Sequence, residues 1–321
     1  MEPGHAPTLL RTAAGSPPSV TQYRAFRALG WRVVAADCDP HSVGFPFADA
    51  GHVVPRARHP GYLDRMLEVC AREGVDLLLP ALDEELLLCS IHRARFEALG
   101  TRVLVSPPGA LEVCTDKLRT FQFLRELGVP TPDTVAAPAY RRGVLGAGPL
   151  VVKPRAGRGG TGVFVARNHP EASFFASYVE RAIVQAFCPG EEFTLDVLAD
   201  EASEVAILSP RRRLALESGI SSKGATCWRE DLLEPVRRIV KALGLVGPVN
   251  LQGFSGTEFR FTEINARMAG TAILTQAAGV PYFQGILDLA LGRPPRPWLR
   301  PAGPLLMYRY WEEHFQSPAE A

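Results

Sequence analysis

Lysines and paired cysteines are scarce in this 321-residue sequence. Of its 35 basic residues 31 are arginine, which leaves Lys117, Lys153, Lys223 and Lys241 as the lysines. Because the chain uses arginine almost everywhere, the few positions that keep lysine are candidates for sites that need a compact ammonium group. The six cysteines contain no CxxC pair, which argues against a zinc site and a disulfide framework. We therefore expect reduced cysteines and a cytoplasmic protein.

The sequence also has almost no net charge, no long apolar run and no cluster of histidines. Lys plus Arg (35) nearly cancels Asp plus Glu (34), so no overall charge favours nucleic acid or an acidic membrane as a partner. No apolar run has the length of a membrane-spanning helix. The first six residues lack the basic and apolar segments of a secretory signal. We expect a soluble globular protein without nucleic-acid or membrane partners.

The first hundred residues alternate short apolar runs with amphipathic stretches, which is typical of βα units around a parallel sheet. We predict a doubly wound α/β domain over residues 1–108. The turn at residues 13–19 lacks the glycine spacing of a dinucleotide-binding turn. Asp37 and Asp39, at the end of the second predicted strand, are therefore expected to be turn residues.

Two acids follow the strand predicted to end at Pro80. Glu84 and Glu85 begin a helix predicted over residues 84–99, and a strand is predicted at 102–106. Open α/β sheets bind ligands at the carboxyl ends of their strands, so these acids are candidates for contacting a second substrate. Ordinary acids at a helix N-terminus are an equal alternative.

A glycine-rich loop is the first motif with chemical content. It joins two apolar segments, and the three pieces lie at residues 150–154, 156–162 and 163–166. Gly157, Gly159 and Gly162 fit GxGxxG, but a strand follows where a dinucleotide-binding turn needs a helix, and the Walker Gly-Lys-Ser/Thr ending is missing. A kinase loop has its lysine after the glycines, whereas Lys153 precedes them. A strand, a glycine loop and a second strand, with the lysine on the first strand, suit phosphate binding: the backbone amides of the loop fold over the phosphates and Lys153 adds charge. An ordinary glycine-rich hairpin is the alternative.

A pair of strands follows further along the chain. Residues 183–187 are apolar, and after the turn at 188–190 a second strand begins with Glu191 and Glu192. An apolar segment that leads to a carboxylate suits an adenine slot with a partner for a ribose hydroxyl. A surface turn with exposed acids is the alternative.

Polar residues converge on one predicted hairpin, residues 248–265. Strand periodicity places Glu263 and Asn265 on one face and Ile264 on the other. A turn near residues 257–258 brings Gln252 opposite Glu263. Oxygen ligands of this kind suit magnesium, which fills its other positions with water and substrate phosphates.

Together these segments resemble the ATP-grasp superfamily, and more narrowly its carbamoyl-phosphate-synthase-like branch of carboxylate–amine ligases. The resemblance rests on motifs at residues 116–117, 151–154, 156–162, 189–194, 211–224, 252 and 263–267. It implies a pre-ATP-grasp α/β domain followed by a two-lobed α+β ATP-grasp domain over residues 109–321. The small lobe that clamps ATP would span 109–187, and the large lobe with the metal site 188–321.

The resemblance also implies roles for individual residues. Those that bind ATP would be Lys117, Lys153, Gly157, Gly159, Gly160, Gly162, Gln185, Phe187 and Glu192. Gln252, Glu263 and Asn265 would hold Mg²⁺, with Mn²⁺ as an alternative. The catalytic set would be Arg267, Lys153 and an arginine of the 211–213 run, taken as Arg213. Gln185 departs from the glutamate that is more frequent at its position.

The activity implied is ATP-dependent amide formation from a small-molecule carboxylate and an amine, through an acyl phosphate, on amino acids or small metabolites. An enzyme that forms carbamoyl or acyl phosphate and a non-catalytic ATP-binding regulatory module are the two alternatives. The family leads us to expect a homodimer. The roles of Lys223, Glu84 and Glu85 stay open.

Overall fold

The computed structural model describes residues 6–157, 159–217 and 219–317. Arg158 and Ser218, which belong to two of the motifs above, lie outside the described residues. Within these ranges no helix combines the length and the apolar character needed to cross a membrane. All six cysteines lie in the described part, and each is a free thiol.

The elements are numbered in chain order. The strands are β1 Thr8–Thr12, β2 Arg32–Asp37, β3 Ala50–Val53, β4 Leu77–Leu79, β5 Arg102–Val103, β6 Thr134–Ala136, β7 Leu150–Pro154, β8 Phe164–Ala166, β9 Ala182–Ala186, β10 Glu191–Ala199, β11 Val205–Glu217, β12 Ile220–Thr226, β13 Gly247–Ser255, β14 Phe259–Asn265 and β15 Leu306–Tyr308. The helices are α1 Ser19–Ala28, α2 Tyr62–Glu73, α3 Asp83–Ile91, α4 Arg93–Glu97, α5 Pro108–Cys114, α6 Lys117–Glu126, α7 His169–Tyr178, α8 Leu233–Leu243, α9 Ala272–Ala277 and α10 Tyr282–Ala290.

The first sheet is parallel, in the order β3-β2-β1-β4-β5, which confirms the doubly wound α/β fold. Its central strands β1 and β4 are buried on both faces, as parallel strands covered by helices are. The strand order reverses between β1 and β4, so the crevice above their carboxyl ends is the topological switch point. Asp37 accepts hydrogen bonds from the amides of Gly15 at 2.7 Å and Asp39 at 3.0 Å, as predicted for a turn residue.

Two predicted elements in this part are wrong in extent. The helix predicted over 84–99 is broken at His92, where the backbone leaves the helical region (φ −100°, ψ 18°) and α3 gives way to α4. The strand predicted over 102–106 is regular only at β5, because the chain turns away to reach Pro108 at the start of α5.

The second sheet is antiparallel, in the order β14-β13-β10-β11-β12-β15. The sheet has an apolar face and a polar face, and the alternating side chains of β10 show which is which. Phe193, Leu195 and Val197 lie in the same apolar core as the buried side of α8. Glu192, Thr194 and Asp196 point to the opposite face because successive side chains of a strand alternate. This polar face carries the candidate site.

The third sheet, β6-β9-β7-β8, is small and antiparallel, and α7 packs against it around a separate core. Helices α5 and α6 precede this sheet in sequence, but Leu111 and Leu124 pack into the larger core beneath β14. The separate core of the small lobe is thus built from β6 to β9 and α7, and the predicted lobe bounds 109–187 and 188–321 stay a prediction. The domain boundary at 108 stays a prediction.

Candidate active site

The hairpin of β13 and β14 forms one end of the polar face. Gln252 pairs with Glu263, and Asn250 with Asn265, which confirms the predicted register. A β-bulge at Thr262 separates this part from the next pair, Gly253 with Phe261. The extra residue places Phe261 in the apolar core while Glu263 faces the site.

Asn250 orients the predicted metal ligands. Its Oδ1 accepts hydrogen bonds from Gln252 Nε2 at 3.3 Å and from Asn265 Nδ2 at 3.4 Å. Because both amides donate through nitrogen, their carbonyl oxygens face away from Asn250; the Gln252 oxygen accepts one hydrogen bond from Arg213 and keeps a second lone pair for a ligand. The sequence analysis missed Asn250, although its spacing of two residues from Gln252 was the signal.

The donor set fits a magnesium ion. Gln252, Glu263 and Asn265 offer two amide oxygens and one carboxylate on adjacent strands, and Mg²⁺ combines few protein ligands with substrate phosphates. Among the described residues, no group of three or more His, Cys, Asp or Glu side chains could hold a metal. This site therefore depends on amide oxygens and on a ligand's own oxygens.

Two lysines lie beside Glu263. Lys117 begins α6, whose N-terminus is capped by Asp116, and its Nζ donates to the Gly157 carbonyl at 2.7 Å and lies 3.9 Å from Glu263 Oε1. Lys153, in β7, is 6% exposed. Burial lowers the pKa of Lys153, and the carboxylate of Glu263 opposes that shift. The site thus gathers positive charge where phosphate oxygens would be neutralised.

The glycine-rich loop closes over this charge. Gly157, Gly159, Gly160 and Gly162 all have positive φ, between 68° and 131°, which explains the need for glycine. The loop touches the β11–β12 turn: a Cβ added to Gly219 would lie 2.5 Å from the carbonyl carbon of Gly159. The small lobe and the large lobe therefore meet across the site.

The run Arg211–Arg213 divides among three environments. Arg213 faces the site: its Nη1 donates to Glu192 Oε1 at 2.5 Å and to Gln252 Oε1 at 3.2 Å, and its Nη2 to the Gly219 carbonyl at 2.6 Å. Arg212 pairs with Glu191 at 3.2 Å near the surface. Burial raises the pKa of Glu192, while the adjacent Arg213 opposes the shift.

Arg211 is a structural residue. It donates from Nε and Nη2 to the two carboxylate oxygens of Asp196, each at 2.8 Å, and from Nη1 to Thr271 Oγ1 at 2.5 Å. Thr275 also donates to Asp196. This buried network fastens α9 to the polar face of the sheet. Of the three arginines, Arg213 is therefore the one that contacts Glu192 and Gln252, and its catalytic role stays a prediction.

Gln185 lies in β9, the strand between β6 and β7, and Phe187 follows the end of that strand. Gln185 is buried, and its Nε2 donates to Thr134 Oγ1 at 2.8 Å. Phe187 is 40% exposed, as an aromatic wall of an open slot would be. Their predicted role at adenine stays a prediction.

Arg267 and the acids of α3 meet at the carboxyl edge of the parallel sheet. Arg267 Nε donates to Asp83 Oδ1 at 2.7 Å. Glu85 is buried and accepts from Thr12 Oγ1 at 2.5 Å, so it holds β1 to α3 and does not face a substrate. Glu84 is exposed, and so is Lys223 on β12. Asp83 is the acid of α3 that contacts Arg267, and no pattern in the sequence had singled it out.

Comparisons with known proteins place these features in a family. Residues 9–104 match the family described as "PylC-like, N-terminal domain", and residues 114–271 match "ATP-grasp domain". The chain is 24% identical over 285 residues to a carbamoyl-phosphate synthase of Methanobrevibacter smithii, covering 83% of this chain and 76% of that protein. It is 23% identical over 300 residues to the arginine-specific carbamoyl phosphate synthase large chain of Halalkalibacterium halodurans, covering 86% of this chain. The chain spans only 28% of that large chain.

A solved structure has the same fold. The biotin carboxylase domain dimer of 2-oxoglutarate carboxylase from Hydrogenobacter thermophilus, in complex with MgADP, ADP and bicarbonate, aligns with a TM-score of 0.72 at 18% identity. The alignment covers 89% of this chain and 70% of that one. The α/β fold with an ATP-grasp domain is thus established from both sequence and structure.

Proposed function

Because the chain belongs to the ATP-grasp family of ADP-forming ligases, on its carboxylate–amine branch, we propose that it joins a carboxylate to an amine through an acyl phosphate. The observation that carries the proposal is the convergence of Lys117, Lys153 and Arg213 on the oxygen ligands of one sheet face. Such a site concentrates positive charge around phosphates, which phosphoryl transfer needs.

The reaction has two steps. A carboxylate oxygen of the first substrate bonds to the γ-phosphorus of ATP, while the bond to the β–γ bridging oxygen breaks and ADP leaves with its electron pair. The amine then attacks the acyl carbon, phosphate leaves, and the amine gives up its proton to solvent. Little covalent help from the protein is required, because positioning and charge lower most of the barrier.

Each part of the site has one task in this scheme. Lys117 and Lys153 neutralise phosphate oxygens, and Arg213 and Arg267 bind the oxygens of the transferred phosphoryl group. Gln252, Glu263 and Asn265 hold Mg²⁺, which when bound withdraws charge from the phosphates. Glu192 receives the ribose hydroxyls once Arg213 turns from it to a phosphate.

The loop over the site protects the intermediate. An acyl phosphate exposed to water is hydrolysed, so amide formation needs a closed site. The packing of Gly159 against Gly219 closes one side of the clamp across the two lobes. Closure also fixes Lys117, whose Nζ binds the loop carbonyl of Gly157.

Release of the acyl phosphate itself is a second candidate function. The named relatives are carbamoyl-phosphate synthases, which favours a carbamoyl or acyl phosphate product. For the ligase, we propose amino acids or small metabolites as both substrates, Mn²⁺ as a substitute metal, a homodimer and a cytoplasmic location, all from family resemblance.

The proposal is tested by measuring ADP release with MgATP. Amino acids and small carboxylates are offered as a panel, singly and in acid–amine pairs. We expect turnover only with a pair, and its loss in Glu263→Ala. ADP release by an acid alone would favour the acyl phosphate product. Equal release by wild type and Glu263→Ala would refute the assignment of the site.

A further inference from the structure

The predicted catalytic arginine is held by the N-terminal domain. Arg267 follows β14 in the ATP-grasp domain, whereas Asp83 begins α3 just beyond the carboxyl end of β4, 184 positions earlier. The bond from Arg267 Nε to Asp83 Oδ1 is 2.7 Å long, and the two side chains are 18% and 24% exposed. A half-buried ion pair therefore crosses from one domain to the other at the edge of the site.

Charge favours this contact. Arg11, near the end of β1, is 4% exposed; burial lowers its pKa, and the like charge of Arg267 is a smaller contribution in the same direction. Glu85 faces Arg11 from α3, but its carboxylate is already bonded to Thr12. Without the carboxylate of Asp83, Arg267 would face a buried like charge and lose its only ion-pair partner among the described residues.

The mode of contact leaves the ends of the guanidinium available. Among the described residues, the one hydrogen bond of the Arg267 side chain runs from Nε to Asp83. A guanidinium is planar and has five N–H donors, so fixing Nε restricts the orientation of the whole plane. The Nη1 and Nη2 groups keep their donors for phosphate oxygens.

We propose that Asp83 is a positioning residue for phosphoryl transfer, which orients Arg267 from the N-terminal domain. This inference rests on the proposed function, because it assumes that Arg267 binds the transferred phosphoryl group. Its consequence is that the N-terminal domain affects the chemical step as well as substrate binding. In this proposal Asp83 acts on Arg267 and not on ATP itself, so its loss should change kcat and leave the affinity for MgATP unchanged.

Steady-state kinetics of Asp83→Ala and Asp83→Asn test this proposal. We expect kcat to fall about 10- to 100-fold in Asp83→Ala, the size of effect that a misplacement of about 1 Å produces. Asp83→Asn keeps an oxygen that can accept from Arg267 Nε, so it should recover part of the loss. Asp64→Ala is the matched control, because Asp64 pairs with Arg95 at 2.9 Å elsewhere in the same domain.

Two further measurements separate positioning from general damage. The dissociation constant for MgATP, measured without acid and amine, should stay within about twofold of wild type in Asp83→Ala, since the ion-pair partner of Asp83 is Arg267. In an Arg267→Ala background, removal of Asp83 should have little additional effect on kcat. Equal kcat in Asp83→Ala and Asp64→Ala, or additive losses in the double variant, would overturn the proposal.

A separate reaction distinguishes failure of the inference from failure of the proposed function. If no acid–amine pair supports turnover, the ligase proposal is refuted, and formation of ATP from MgADP and carbamoyl or acetyl phosphate becomes the readout. The same order of wild type, Asp83→Asn and Asp83→Ala is expected there. Absence of this reaction as well would overturn both proposals.

Discussion

Three consecutive arginines provide a sensitive test of how the polar face is built. Arg211, Arg212 and Arg213 lie on one strand, β11, yet only the first is enclosed with a bidentate carboxylate partner. Replacing each in turn by methionine keeps much of the aliphatic stem and removes the charge. We expect three different outcomes from three neighbouring positions.

The largest loss of stability should come from Arg211→Met. The Arg211 and Asp196 side chains are 1% and 0% exposed, so the variant leaves a buried carboxylate without its cation. Breaking a buried pair in this way costs about 3–5 kcal/mol. With a slope of about 3 kcal/mol per M urea, the unfolding midpoint should fall by about 1 to 1.7 M.

The other two variants set the scale. Arg212 and Glu191 are 42% and 61% exposed, so Arg212→Met should stay within about 0.5 kcal/mol of wild type. Arg213→Met loses bonds to Glu192 and Gln252, at a cost of about 2 kcal/mol, and it should abolish ligation.

Urea unfolding followed by circular dichroism is the assay, with ADP release measured on the same preparations. Where Arg211→Met is too unstable to purify, Arg211→Met with Asp196→Leu removes both charges and should recover much of the lost stability. An unfolding midpoint for Arg211→Met equal to that of Arg212→Met would refute the reasoning.

Three other predictions follow from single residues. Gly219→Ala should hold the loop away from the turn, because the new Cβ would lie 2.5 Å from the Gly159 carbonyl carbon. The ratio of ADP released to amide formed, measured by chromatography of both products, should then rise several-fold. Lys153→Met should raise the KM for ATP about 10- to 100-fold in steady-state assays, since an ammonium bond to phosphate is lost, whereas exposed Lys241→Met should not. Burial raises the pKa of Glu85, so the folded chain binds its proton more tightly than the unfolded chain. Stability should therefore fall as pH rises from the unfolded pKa toward the raised one. Glu85→Gln should flatten this part of the plot of urea midpoint against pH, and an unchanged slope would contradict the prediction.

Local patterns were sufficient to predict much of the fold and the core of the site. Alternation placed Glu263 and Asn265 on one face, and the short turn after β13 set Gln252 opposite Glu263. Glycine tolerates the positive φ angles that Gly157 and Gly162 adopt, in keeping with the glycine-rich loop predicted there. Each of these signals lies within one hairpin, where backbone geometry alone fixes the neighbours.

Contacts between distant segments could not be read from spacing. Arg211 and Arg213 share a face by alternation, and only the packing of α9 over Asp196 separates their roles. The contact between Asp83 and Arg267 depends on how two domains meet. No proline or glycine marks the helix break at His92 in the sequence, so local patterns did not predict it.

Transfer of ¹⁸O from a labelled carboxylate substrate to phosphate tests the central claim most directly. The account predicts that, with a carboxylate labelled in both oxygens, an amine and MgATP, each phosphate released carries one ¹⁸O, because the attacking oxygen leaves with the phosphoryl group. The Glu263→Ala variant should release no labelled phosphate. Unlabelled phosphate formed at the same rate as amide would contradict an acyl phosphate intermediate and with it the proposed mechanism.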